Sequence, residues 1–290
     1  MKHLRKVIES IKSQHTETSE SLQAQIWELI CYAPKMPVRL QQQELLDTAT
    51  RVELKVYDQY FSKTDLKFNS FKWGHGDQLI LLTHGWGSKA ADFSELIREL
   101  IKIEGFTVVA FDAPGNGSSE GHLSNLFLFV EAIKQITEYY GPASIMIGHS
   151  LGGKASVRAL QQSSNLPKVL ITIAPLINLK ENFKGSMRAA EISATNQQTF
   201  LDDFEELYGQ SIDDFHLEKM YDFADQTKHI LLYDLNDTIT PATDIESFLR
   251  HYPDVKPIQY NHTTHAKIIS DPIAISDILK QIHTLAWDLN

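Results

Sequence analysis

A chain of 290 residues, 42% hydrophobic and 22% charged, has the make-up of a globular protein with one large core or two small ones. Its net charge of −10 argues against nucleic acid as a partner, and its single cysteine, Cys31, excludes an internal disulfide and a cysteine-based metal site. The first residues are charged throughout and lack a secretory apolar core, and no run is long and apolar enough to span a bilayer, so the expectation is a cytoplasmic protein without integral membrane association.

Residues 1–50 read as a helical extension packed on the core. Leu22, Ile26, Leu29, Ile30 and Ala33 follow helical spacing with Trp27 beside them, until Pro34 and Pro37 stop the helix. Gln41 to Thr48 reads as a second short helix. Lys2, Arg5, Lys6 and Lys12 lie in a different segment from the apolar stripe, so docking on the core is preferred to a membrane-surface role. From Arg51 the pattern changes to alternation, in Val52, Leu54 and Val56 and again from Leu66 to Trp73, which reads as half-exposed antiparallel strands. Leu79 to Thr83 is a continuous apolar run, the pattern of a parallel strand covered on both faces, and it ends in His84-Gly85-Trp86-Gly87.

A helix is expected from Asp92 to Glu104, a buried strand from Thr107 to Phe111, and a helix from Leu126 to Tyr140. The apolar run Ile145 to Ile147 then ends in Gly148-His149-Ser150-Leu151-Gly152-Gly153. This is the G-x-S-x-G pattern of a sharp strand-to-helix turn that lifts a serine hydroxyl above a sheet, with glycines where a Cβ would crowd the turn. A further strand runs from Val169 to Ile173. Residues 175–228 break the rhythm, with helical patterns at Met187 to Ile192, Thr199 to Tyr208 and Leu217 to Phe223, and they read as a helical insertion. Its clustered acids lack the loop spacing and glycine of a calcium site and read as a solvated face. Strand rhythm returns at His229 to Tyr233, followed by Asp234 to Pro241, a helix over Ile245 to Arg250, a strand from Val255 to Tyr260, the loop Asn261 to Lys267, and a closing helix from Pro272.

Alternating strands and helices imply an α/β class protein with a mostly parallel central sheet and helices on both faces. The marked loops each follow the C-terminal end of an apolar strand, where active residues gather in such sheets. A serine hydroxyl is a weak nucleophile until a base and an orienting acid adjoin it. Ser150 is the candidate nucleophile. Asp237 competes with Asp234 for the acid, and His265 with His262 for the base.

The motifs His84-Gly-Trp-Gly87, Phe111-Asp-Ala-Pro-Gly-Asn-Gly-Ser118, Gly148-His-Ser-Leu-Gly-Gly153, Asp237-Thr-Ile-Thr-Pro241 and His265 ahead of Ile268 together resemble the α/β-hydrolase fold superfamily, in particular an esterase-like serine hydrolase with a helical cap. The resemblance covers about Leu66 to Leu289. It implies a core of residues 51–174 and 229–290 and a cap at 175–228. It implies Ser150 as nucleophile, His265 as general base, Asp237 as the acid, and the amides of Trp86 and Leu151 as an oxyanion hole. His265 departs from the family in having Thr264, not glycine, before it. His149, Met187 and Phe204 are candidates for contact with substrate. The expected reaction is cleavage of a small or medium carboxylic ester, with no metal or organic cofactor. The same triad serves thioester hydrolysis, acyl transfer and carbon–carbon bond hydrolysis, and the fold also carries non-catalytic binding proteins.

Overall fold

The computed structural model describes residues 2–13, 19–223 and 226–287, the side chains up to 284. Eight strands form one sheet in the order β1-β2-β4-β3-β5-β6-β7-β8: β1 Thr50–Tyr57, β2 Asp65–Gly74, β3 Gln78–Thr83, β4 Phe106–Phe111, β5 Ile145–His149, β6 Val169–Ile173, β7 Lys228–Asp234 and β8 Lys256–Tyr260. β1 pairs antiparallel with β2, and β2 with β4; every later pairing is parallel. This is the mostly parallel α/β architecture expected. The register of β3 shows why its run is unbroken. Leu79 and Leu81 enter the core on one face of the sheet, while Ile80 and Leu82 enter the core on the other.

The core on the Ile80 face is closed by α3 (Leu40–Asp47), α4 (Ser94–Leu100) and α11 (Pro272–Trp287). The helix expected over Asp92 to Glu104 is shorter. It begins as a 3₁₀ turn, Ala90–Phe93, continues as α4, and stops at Leu100 so that the chain can turn into β4 at Phe106. The Leu79 face carries α5 (Leu126–Tyr140), capped by Asn125, and α6 (Leu151–Gln161).

Two further groups of helices complete this second core. The extension supplies α1 (Lys2–Ser13) and α2 (Glu20–Cys31). Ser19 caps α2 by accepting from the amide of Leu22, and Val7, Ile11, Leu22, Ile26 and Ile30 are all buried in the core. Burying a side chain of this size is worth about 1.5–3 kcal/mol, enough to dock both helices on the domain. The insertion supplies α7 (Leu179–Ala189), α8 (Ala194–Tyr208) and α9 (Leu217–Met220). α7 starts and ends earlier than the sequence pattern placed it, because Asn178 caps it and its charged first turns dilute the apolar period. α10 (Ala242–His251) lies between β7 and β8. Extension and insertion meet at Trp27 of α2, whose ring lies 4.6 Å from Phe200 and stacks over Phe204, both on α8. Among the described residues, no helix is long and apolar enough to cross a membrane.

Candidate active site

β5 lies inside the sheet between β3 and β6, and the chain turns abruptly at its end into α6. Ser150 occupies that turn with φ 53° and ψ −119°. A non-glycine residue there carries strain of order 1–3 kcal/mol, and it persists only where the surroundings hold it. Here they do. The Ser150 amide donates to Ile173 O at 2.9 Å, and its carbonyl accepts from Lys154 N and Leu176 N, both at 3.2 Å. Two glycines make the turn possible. A Cβ on Gly152 would stand 2.3 Å from the carbonyl oxygens of Thr83 and His84, and one on Gly148 would stand 2.6 Å from Gly153 Cα.

The loop after β8 brings His265 to Ser150. His265 Nε2 lies 2.8 Å from Ser150 Oγ, and its Nδ1 lies 2.7 Å from Asp237 Oδ2 on the loop after β7. Asp237 also accepts from the amides of Ile239 and Thr240 at 2.8 and 3.0 Å, and from the Thr240 hydroxyl at 2.8 Å. Burial alone would raise the Asp237 carboxyl, but the hydrogen bond and charge of His265, with the donors of Thr240, outweigh it and hold the group below its ordinary value. An ionised carboxylate only accepts, so His265 Nδ1 donates and Nε2 presents its lone pair to the serine.

The rival candidates have other partners. Asp234 Oδ2 accepts from the amide and the hydroxyl of Thr263, each at 2.8 Å, and so ties the two loops together. His262 faces Asp271 at 3.3 Å. His149 sends Nε2–H to the carbonyl of His265 at 2.8 Å, its ring 4.9 Å from that of His265. Burial, reinforced by repulsion from His265, pushes the His149 imidazole down to about 3, so it stays neutral and fixes the backbone that carries His265.

The turn after β3 lies against the serine, since a Cβ on Gly85 would come 3.1 Å from Ser150 Cβ. His84 sets that turn. Its Nε2 accepts from Ala113 N at 2.9 Å, so its Nδ1 carries the proton and donates to Gly85 O at 2.6 Å. The Gly85–Trp86 peptide is trans and planar, so pinning its carbonyl fixes the opposite direction of the Trp86 N–H. Asn116 accepts from Gly87 N at 3.0 Å and holds the next peptide. Leu151 follows the serine as the first residue of α6, where the helix presents its unpaired amides and positive end.

A cavity of about 1310 Å3 opens over these groups, lined at this end by Ser150, His265, His149, Trp86 and Leu151. The insertion contributes Leu179, Phe183, Phe204 and Tyr208 to its wall. Met187, expected beside them, is not in the wall. Leu179, Asn182, Phe183, Ser186 and Ala189 form the cavity face of α7, and Met187 lies off that stripe, wholly buried in the core. The extension also contributes: Leu4, Ile8, Trp27 and Ile30 line the same cavity. Sequence reasoning docked this segment on the core without seeing that it walls the site; the one signal was Trp27, a large aromatic beside the apolar stripe. Among the described residues, the one cluster of three metal-ligating side chains is His3, Glu28 and His122, and it includes no member of the Ser150 constellation.

Fold and site together define a hydrolase of the α/β class, and comparison with known proteins agrees. The family described as the alpha/beta hydrolase fold matches residues 78–243, more than half of the chain, and the chain belongs to that family. A pimeloyl-[acyl-carrier protein] methyl ester esterase of Proteus mirabilis is 25% identical over 262 residues, covering 75% of this chain and 98% of its own. The corresponding esterase of Klebsiella pneumoniae is 30% identical over 135 residues, 46% of this chain. That match spans 50% of the Klebsiella protein, so against several curated relatives the chain covers only about half their length. An esterase of Pyrococcus furiosus shares the fold with a TM-score of 0.58 at 18% identity, over 88% of this chain and 96% of its own.

Proposed function

We propose that this protein is a serine hydrolase that cleaves small or medium carboxylic esters through an acyl-enzyme intermediate. The observation that carries this reading is the chain of hydrogen bonds Ser150 to His265 to Asp237, with the serine end opening onto a cavity of mainly apolar side chains. The esterase names of the relatives support it.

Ser150 Oγ attacks the ester carbonyl carbon while His265 Nε2 takes its proton. The imidazolium so formed is steadied by the Asp237 carboxylate, already ionised and fixed by the loop amides. The carbonyl oxygen becomes an oxyanion facing the amides of Trp86 and Leu151, each worth about 3–4 kcal/mol in the transition state. His265 then protonates the departing alkoxide, and the acyl group stays on Ser150. Water, activated by His265, attacks that ester, and the carboxylic acid leaves. The acyl group lies along Phe183, Phe204 and Trp27, where burial of each methylene contributes about 0.8 kcal/mol.

The test is labelling with a fluorophosphonate, together with turnover of p-nitrophenyl esters of graded chain length. Wild-type protein becomes covalently modified at Ser150 and hydrolyses the esters. Ser150→Ala does neither and keeps the wild-type melting curve. Labelling elsewhere, or equal turnover by Ser150→Ala, refutes the assignment.

A further inference from the structure

Outside the Ser150 constellation, three side chains from separate parts of the chain converge on one point. They are His3 on α1, Glu28 on α2 and His122 in the loop between β4 and α5. His3 Nε2 lies 2.6 Å and His122 Nε2 2.7 Å from the same carboxylate oxygen, Glu28 Oε1. All three ligand atoms lie within 4.8 Å of one another. The ring of Tyr32 packs against both imidazoles, with centroids 4.6 Å from His3 and 5.3 Å from His122. The imidazoles meet edge to face at 5.6 Å. The rings are therefore held in place by packing as well as by the carboxylate.

Two imidazole nitrogens and one carboxylate oxygen are the donor set preferred by zinc and its neighbours in the transition series. Tetrahedral bonds of about 2.0–2.1 Å place ligand atoms about 3.3 Å apart, so the two nitrogen–carboxylate edges, now 2.6 and 2.7 Å, need to open by roughly 0.6 Å to admit an ion. That adjustment is a fraction of an ångström on side chains that border solvent: His3 is 42% and His122 63% exposed. The same exposure gives an ion a route in from solvent and leaves room for water in the fourth position.

We propose that His3, Glu28 and His122 bind a divalent transition-metal ion of the zinc type, which pins α1 to α2 and to the β4–α5 loop. The end of α2 and this loop are already joined, since Ser124 N donates to Cys31 O at 2.7 Å. The ion adds α1 to that junction. Leu4 and Ile8, which follow His3 on α1, line the cavity over Ser150. Occupancy of the metal site therefore fixes the outer wall of the cavity.

The test is calorimetric titration of the chelator-stripped, intact chain with zinc chloride, with cobalt(II) as a coloured substitute. One equivalent binds with a micromolar or lower dissociation constant, and cobalt gives the visible absorption of a tetrahedral site. His3→Ala, Glu28→Gln and His122→Ala each weaken binding at least tenfold, while His251→Ala, at an exposed histidine elsewhere, does not. Zinc slows amide hydrogen exchange along α1 in the wild type and not in His122→Ala. Absence of saturable binding at micromolar zinc, or equal affinity in the three variants, overturns the site. Binding without slower exchange in α1 overturns the clamp.

Discussion

Lys154 offers a quantitative test of how the serine turn is joined to the helices above it. It lies on the first turn of α6, wholly buried, and its Nζ donates to the carbonyls of Ile177 and Phe215 in the insertion. Neither partner carries a charge. Burial pushes the amine down from its ordinary value to about 7. The unfolded chain keeps its proton to about pH 10.4, so between these values the unfolded state binds a proton that the folded state does not. Stability must then rise with pH across that window and level off above it. The slope is about 1.4 kcal/mol per pH unit, so from about pH 7.5 to 9.5 wild type gains roughly 2–3 kcal/mol relative to Lys154→Met, which fills similar space without titrating. Urea unfolding followed by circular dichroism at stepped pH measures the difference, provided both proteins keep the same denaturant slope. Parallel stability curves for the two proteins would refute the reasoning and show that the amine stays charged in the fold.

The remaining expectations concern the site itself. Asp237→Asn loses the carboxylate that fixes the His265 tautomer, and kcat should fall roughly 10⁴-fold with KM little changed; a loss under tenfold would remove Asp237 from the mechanism. Gly152→Ala drives a Cβ into two backbone carbonyls and should destabilise the fold by about 3 kcal/mol, read as a lowered thermal midpoint. A variant as stable as wild type would show that the turn has slack the structure does not suggest. Trp27→Ala removes an indole from the cavity wall, and kcat/KM should shift toward longer acyl chains across a p-nitrophenyl ester series; an unchanged profile would place the acyl group elsewhere.

How much of this was readable beforehand depends on the range of the forces involved. The strand ends were legible because each is announced locally: an apolar run such as Leu79 to Thr83, then polar and glycine residues that cannot continue it. The fold class followed from that rhythm. The order of the strands did not, since β4 lies between β2 and β3 through tertiary pairing alone. The residues that adjoin Ser150 could be narrowed to two acids and two histidines by their loops, and the hydrogen bonds distinguish them. Helix α1 was read only as part of a helical extension, although Leu4, Val7, Ile8 and Ile11 repeat at helical spacing; its charged residues drew the reading instead. Met187 shows the opposite failure. A large apolar residue in the insertion suits a wall or a core equally well, and only the rotation of α7 decides between them. The His3, Glu28 and His122 cluster joins positions 25 and 94 residues apart, a separation no spacing rule covers.

The cavity has two ends with separate origins in the chain. One is formed by the loops at the tips of the sheet that carry Ser150, His265 and Trp86. The other is partly walled by Leu4, Ile8, Trp27 and Ile30, which precede the stretch matched to the family. Leu4, Ile8 and Trp27 stand on α1 and α2, apart in the chain from the loops that carry Ser150, His265 and Asp237. On the proposed esterase reading, changes in these helices alter which ester is accepted while the reacting groups stay the same.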